Sequence, residues 1–245
     1  MQNKFVFLTP AYNCKDTIKQ TLMSFFAQSY DNWRAIIIDD VSTDETGEYV
    51  KNIARQYGFE NKIDVVTREE KFGETKNTIY EVKNIKDDEI VCRVDGGDWL
   101  TETDCLYFLN EIYKSHNPAV LWTAHRWEYS SQNISGPLDL KDNMSVYDHK
   151  WVSSHMKTFR AEKLKRVPEK NFKDEDGNWI MIACDQAIFL PMMHMSHQLS
   201  EPLLYLPHIC YHYSINLKNP ELFHNERSLK QRDSALWIRK RGFLN

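Results

Sequence analysis

A chain of 245 residues, 42% hydrophobic and 27% charged, with eight glycines and eight prolines, is ordinary globular material long enough to bury a substantial core, and it argues against long disorder. Its formal net charge of −4 leaves no overall basic field of the kind that non-specific nucleic-acid binding uses. Five scattered cysteines without a CxxC pair indicate neither a disulfide framework nor a zinc site, and they fit a reducing compartment. The first apolar segment is too short for a signal peptide, and no apolar run approaches the ~18 residues of a membrane span. A cytoplasmic chain without a transmembrane segment is therefore expected.

In chain order, Phe5-Val6-Phe7-Leu8 reads as a buried strand that stops at Thr9-Pro10, where proline lacks the N–H of a central strand. Ile18, Leu22, Phe25 and Phe26 recur at helical spacing behind Asp16. A strand from Trp33 to Ile38, a helix capped by Thr43 or Asp44, and a strand from Ile63 to Val66 follow. A further helix runs from Thr75 towards Ile85, before a strand ending at Asp95. Such alternation makes a mostly parallel α/β sheet with right-handed connections. The second half is less regular. It holds a helix with Leu106, Leu109, Ile112 and Tyr113, a strand at Val120-Leu121-Trp122, and a polar loop from Ser130 to Lys141. A short strand near Met156 to Phe159, a loop at Asp176-Gly177-Asn178, a helix from about Asp185 through Met195 and a β segment from Leu203 to Tyr213 complete it. From Glu226 the tail carries Arg227, Lys230, Arg232, Arg239, Lys240 and Arg241, which suits either a solvated helix or an anion-binding segment.

Two acidic clusters follow apolar strands: Asp39-Asp40-Val41-Ser42-Thr43-Asp44 and Asp95-Gly96-Gly97-Asp98. In an open α/β sheet, ligands bind beyond the carboxyl ends of the strands. The first cluster suits a nucleoside, whose base N–H and ribose hydroxyls meet acceptor-only carboxylates, with Thr9, Tyr12 and Asn13 lining the same crevice. The same residues equally suit a turn and a helix cap. In the second cluster, carboxylates around a flexible turn offer oxygen ligands to Mg²⁺ or Mn²⁺, and the glycines let backbone approach a diphosphate. A surface turn is the plainer alternative. No GxGxxG or GxxxxGK[ST] loop is present, so dinucleotide and P-loop mechanisms lack their phosphate cradle.

Together these segments resemble an inverting glycosyltransferase of family 2 with the GT-A fold. Leu8 to Asn13, Ile38 to Asp44, the Gly73 to Asn77 region, Val94 to Leu100, Thr158-Phe159-Arg160 and the Asp185 region carry the likeness across the chain. The resemblance implies a single GT-A domain over residues 1–245, with a nucleotide half at 1–100, an acceptor half at 101–213 and a basic tail at 214–245. It implies a nucleoside-diphosphate sugar as donor, with Thr9, Pro10, Ala11, Tyr12, Asn13, Asp40 and Lys76 near the nucleoside. Asp95, Gly96 and Asp98 would meet the diphosphate and a Mn²⁺ or Mg²⁺ ion. The family pattern is Asp-x-Asp-Asp, and Gly97 departs from it, which puts the ligand set and the strictness of the metal requirement in question. Inversion needs a base for the acceptor hydroxyl. Asp185 matches the family position, with Asp174, Glu175 and Asp176 in reserve. His212 is the best of the late histidines (His194, His197, His208, His212, His224) for the metal. Arg239, with Lys240 and Arg241, would close over the diphosphate as a lid. Trp99, His155 and Arg160 are the acceptor-side candidates.

The hydroxyl acceptor expected is a saccharide, a lipid-linked glycan or a protein, with a hydroxylated DNA base taken out of the stack as the alternative. Nucleotidyl transfer would want a Gly-rich basic loop after the first strand, and none is present. A nucleotide-sugar-binding module without catalysis stays open because of Gly97.

Overall fold

The computed structural model describes residues 2–141, 143–215 and 225–245. Strands β1 (Phe5–Ala11), β2 (Trp33–Asp39), β3 (Ile63–Thr67) and β4 (Ile90–Arg93) alternate with helices α1 (Lys15–Phe26), α2 (Thr46–Gln56) and α3 (Gly73–Lys83). They pair in parallel, as the alternation predicts. Then come β5 (Trp99–Leu100), α4 (Cys105–His116), β6 (Val120–Trp127), β7 (Lys157–Arg160), α5 (Ala161–Lys165), a 3-10 turn at Glu169–Phe172, α6 (Cys184–Gln198), β8 (Leu203–Tyr213) and α7 (Asn225–Arg241). Among the described residues, eight strands form one sheet in the order β3-β2-β1-β4-β7-β6-β8-β5. Strand β7 is antiparallel to both its neighbours and joins the two halves.

Alternate residues of the buried strands serve opposite faces of the sheet. Val6, Leu8, Ile36 and Ile38 pack with α3 and α6, whereas Phe5, Phe7, Ala35 and Ile37 pack with α1, α2 and α4. Phe7 lies flat on Phe25 with ring centroids 4.0 Å apart, which fixes α1 on β1. Near-continuous apolar strands thus record a sheet covered on both sides.

Strand β1 does not stop at Pro10. It runs to Ala11, and Pro10 pairs with Ile38. The Pro10 carbonyl accepts from Gly96 N at 3.0 Å on the β4 side, where the β1–β4 ladder has already ended at Leu8. The missing N–H therefore faces a place where no strand needs it. Elements α5, β5 and the 3-10 turn, unanticipated from sequence, are too short for periodicity to reveal. Among the described residues no helix is long and apolar enough to cross a membrane.

Candidate active site

The carboxyl ends of β1 and β2 lie side by side, and the loops beyond them are tied together. Asn13 N donates to Ser42 Oγ at 3.0 Å, and Thr43 N to Asn13 Oδ1 at 2.8 Å. Asp39 accepts from Ser42 N and Gly47 N. Asp40 accepts from Phe72 N at 2.8 Å and Gly73 N at 2.9 Å, so it first anchors the start of α3, where helix N–H groups lack partners. It is buried, and a nucleoside would meet only its edge. Val41, a β-branched residue at φ 67°, occupies a costly conformation between the two turns, of the kind that clusters at functional sites.

Thr9 and Ala11 are buried beneath this crevice and offer no side chain to a ligand, whereas Tyr12 is about half exposed and Asn13 also faces solvent. Lys71 Nζ lies 2.9 Å from the Tyr12 ring centroid. Lys76 Nζ sits over the Phe72 ring and 3.5 Å from Glu70 Oε1, a cation held near the start of α3.

Beyond β4 the Asp95-Gly96-Gly97-Asp98 turn packs under the end of β1. A Cβ on Gly96 would come within 3.0 Å of Cys14 Sγ and 3.1 Å of Pro10 O, and Gly97 has φ 107°, so both positions call for glycine. The two carboxylates then part. Asp95 is 37% exposed, accepts from Arg93 at 3.2 Å and faces a cavity. Asp98 is 6% exposed. Its Oδ2 accepts the Tyr211 hydroxyl at 2.6 Å and its Oδ1 accepts Ser214 N at 2.8 Å. Burial, with Asp95 close by, pushes the Asp98 carboxyl well above the usual range despite those bonds.

Of the three expected metal ligands, Asp95 alone lines the cavity. Asp98 is a buried anchor for β8, and its oxygens are already engaged. His212 stacks on Trp99 (centroids 4.0 Å apart, 13° between planes), and its Nδ1 accepts from Arg126 at 3.2 Å. Neither residue lines the cavity. Among the described residues no group of three or more His, Cys, Asp or Glu is arranged to hold a metal ion. Asp95 fits a hard divalent cation that takes its remaining ligands from water and diphosphate oxygens.

Across the cavity, Asp185 stands in the first turn of α6, behind Ala183 at φ 57°, where a carboxylate complements the helix dipole. Lys157 Nζ donates to Asp185 Oδ1 at 2.5 Å, and His155 Nε2 lies 4.0 Å from Oδ2. Lys157 on β7 is the register partner of Arg93 on β4. Both cations are almost wholly buried. Arg93 donates to Glu74 Oε1 at 2.6 Å, to Asp95, and to Leu8 O at 3.1 Å. The result is a cluster of two buried cations and three carboxylates, and such charges persist inside a protein only when paired.

Electrostatics divides the labour within the cluster. Burial pushes the Asp185 carboxyl up, but Lys157 above all, then His155 and Arg93, reverse this and hold it well below the usual carboxylate range. Burial raises Glu74 to about 7 against the pull of Arg93. Burial and Lys157 lower His155 to about 4. At neutral pH, Asp185 is thus ionised and its histidine neighbour is not. The cavity between Asp95 and Asp185 has a volume of about 1020 Å³, with Trp127, Trp151, His155 and Tyr213 among its walls. Aromatic faces of this kind suit the apolar faces of sugar rings.

Sequence reasoning missed Arg93, Lys157 and Glu74. The signal was present in the two cations, because a charge inside an apolar strand run must find a partner. Several expected residues lie elsewhere. Arg160 is at the opposite end of the sheet, bonded to Asn117 Oδ1, Asp88 O and Asn3 Oδ1, so its acceptor role is corrected to a structural one. Trp99 is occupied by its stack on His212 and does not line the cavity. Arg239 is tied to Gln186 Oε1 and to the carbonyls of Tyr147 and His149, and Arg241 to those of Lys173 and Asn171. These bonds fasten Arg239 and Arg241 to the body rather than leaving them free to fold over a ligand. His224 and the Arg227 side chain lie outside the described residues.

The model of Glycosyl transferase family 2 matches residues 6–184. A UDP-Glc:alpha-D-GlcNAc-diphosphoundecaprenol beta-1,3-glucosyltransferase, WfaP of Escherichia coli, is 51% identical over 43 residues, 18% of this chain and 17% of that protein. A poly-beta-1,6-N-acetyl-D-glucosamine synthase of Staphylococcus aureus is 30% identical over 112 residues, 46% of this chain and 26% of the synthase. The matched stretches thus span about a quarter or less of these curated relatives. Among solved structures, TarS of S. aureus in complex with UDP-GlcNAc superposes with a TM-score of 0.66 at 17% identity, over 96% of this chain and 65% of that one. The mannosyltransferase PcManGT of Pyrobaculum calidifontis, in complex with GDP-Man and Mn²⁺, gives 0.67 at 12% identity, over 100% and 66%. With a family match across most of its length and the GT-A fold of these neighbours, the chain belongs to glycosyltransferase family 2.

Proposed function

We propose that this chain transfers a sugar from a nucleoside-diphosphate sugar to a hydroxyl of a saccharide acceptor, with inversion at the anomeric carbon. The observation that carries this reading is the opposition of Asp95 and Asp185 across one aromatic-walled cavity. Tyr12 and Asn13, with the edge of Asp40, would receive the nucleoside. Gly96 lets the turn pack against the end of β1, which fixes Asp95 beside the place the diphosphate would take. Mn²⁺ or Mg²⁺, held by Asp95 and the diphosphate, would neutralise the charge that grows on the leaving group.

Asp185 acts as the base. As the acceptor oxygen bonds to the anomeric carbon, its proton passes to the Asp185 carboxylate, and the bond to the diphosphate oxygen breaks with its electron pair. Trp127, Trp151 and Tyr213 orient the acceptor ring, and neutral His155 closes the wall beside Asp185. The donor complexes of TarS and PcManGT, the polysaccharide named for the synthase and the UDP-Glc donor and GlcNAc-diphospholipid acceptor named for WfaP support the substrate class.

The test is release of nucleoside diphosphate from a panel of nucleotide sugars, with pooled saccharide acceptors, in Mn²⁺, Mg²⁺ or EDTA. Acceptor-dependent release that Asp185→Asn abolishes supports the reading. A panel in which no donor is turned over and none raises the melting temperature defeats it.

A further inference from the structure

We infer that Lys157 is a positioning residue for this reaction: by holding Oδ1 of Asp185, it presents Oδ2, on the His155 side, to the acceptor hydroxyl. This rests on the reading of Asp185 as the base. Lysine is an expensive choice at the site. Its side chain is 1% exposed, on a strand flanked by β4 and β6. It runs beside Phe189 and Trp151, with Nζ 5.0 Å and 5.9 Å from their ring centroids. An apolar residue would fill that space without the desolvation that an ammonium suffers. The ammonium instead ends 2.5 Å from Asp185 Oδ1. The buried stem leaves little freedom to move, so the carboxylate it grips is fixed in turn.

Charged or titratable groups surround Asp185 from several elements, Asp98 among them. Arg93 comes from β4, Asp95 from the turn after it, Glu74 from α3, His125 from β6 and His155 from the segment before β7; Cys184 adjoins Asp185 on α6 itself. Lys157 is the cation in direct contact. Without it, burial and Glu74 would push the Asp185 carboxyl up against Arg93, towards a protonated form that cannot take a proton from the acceptor. In the step itself, the acceptor proton goes to Oδ2 while Oδ1 keeps the Lys157 hydrogen bond, and the lysine neither gains nor loses a proton.

Initial rates against pH for the wild type, Lys157→Met, Lys157→Arg and Asp185→Asn, with a donor the wild type turns over, test this. Asp185→Asn loses activity at every pH. Lys157→Met lowers kcat roughly tenfold or more and leaves the donor KM unchanged. The acid limb of its kcat/KM profile moves up by about one to three pH units. Lys157→Arg returns that limb to the wild-type position. If Lys157→Met does not fold, Lys157→Gln reads the same limb with a neutral donor in place. A methionine or glutamine variant with wild-type kcat and an unmoved acid limb overturns the role of Lys157 alone. An active Asp185→Asn, or a wild type that turns over no donor, overturns the reading beneath it and the inference together.

Discussion

Arg93 and Lys157 face each other in the antiparallel register of β4 and β7, two cations side by side in the middle of a buried sheet. Like charges directly opposite one another destabilise a sheet. Here Glu74 and Asp95 neutralise one, and Asp185 the other. The carboxylates that face the cavity are therefore also structural counter-charges, and stability and activity should be coupled in their variants.

Arg93→Met removes the cation that holds Glu74 and Asp95, leaving two carboxylates without their partner. Breaking a buried pair from one side costs about 3–5 kcal/mol, and a lower melting temperature in a thermal scan is the expected result. Arg93→Lys recovers only part of the loss, because an ammonium cannot fork to Leu8 O and both carboxylates as the guanidinium does.

Asp95 and Asp98, three residues apart in one turn, should behave differently. Asp95→Ala is expected to fold and to lose nucleoside diphosphate release, together with any response to Mn²⁺ or Mg²⁺. Asp98→Ala leaves the Tyr211 hydroxyl and Ser214 N without their acceptor, at a cost of about 1–3 kcal/mol. Melting temperature and turnover measured on both variants check the division. A thermally unaffected Asp98→Ala that loses its metal response would return Asp98 to the ligand set.

On the far side of the fold, Arg166 and Lys163 bind Glu201. The hydrogen bonds from Arg166, with Lys163 and against burial, hold the Glu201 carboxyl down to about 2. Its folded value lies below its unfolded one. The stabilisation is therefore complete above about pH 4.5, the ordinary glutamate value, and is lost as pH falls through about 2. Solvent screening leaves roughly 1–2 kcal/mol. Glu201→Gln should lower the melting temperature at pH 7 by the corresponding few degrees. It should also narrow the gap from the wild type progressively below pH 4.5.

Arg160→Ala provides a control. Its guanidinium binds Asn117, Asp88 and Asn3 at the end of the sheet away from the cavity. The variant should lose some thermal stability and keep the donor and acceptor KM of the wild type. A raised acceptor KM would restore the role first expected for it.

The sequence by itself determined the parallel β-α-β-α-β half, because apolar runs and helical spacing depend only on neighbours along the chain. It also marked Asp40, Asp95 and Asp185 as chemically charged positions at strand and helix ends, and the family to which their order belongs. Only the tertiary structure decided which carboxylates share a cavity. Asp95 and Asp98 are indistinguishable in a motif, yet Asp95 lines the cavity whereas Asp98 is buried against the Tyr211 hydroxyl. Arg160 and Lys157 lie on the same four-residue strand, but at its opposite ends, so one secures the rim of the sheet and the other reaches Asp185. The pairing of Arg93 with Lys157 joins positions 64 residues apart. Such a contact is set by strand order, and no local pattern records it.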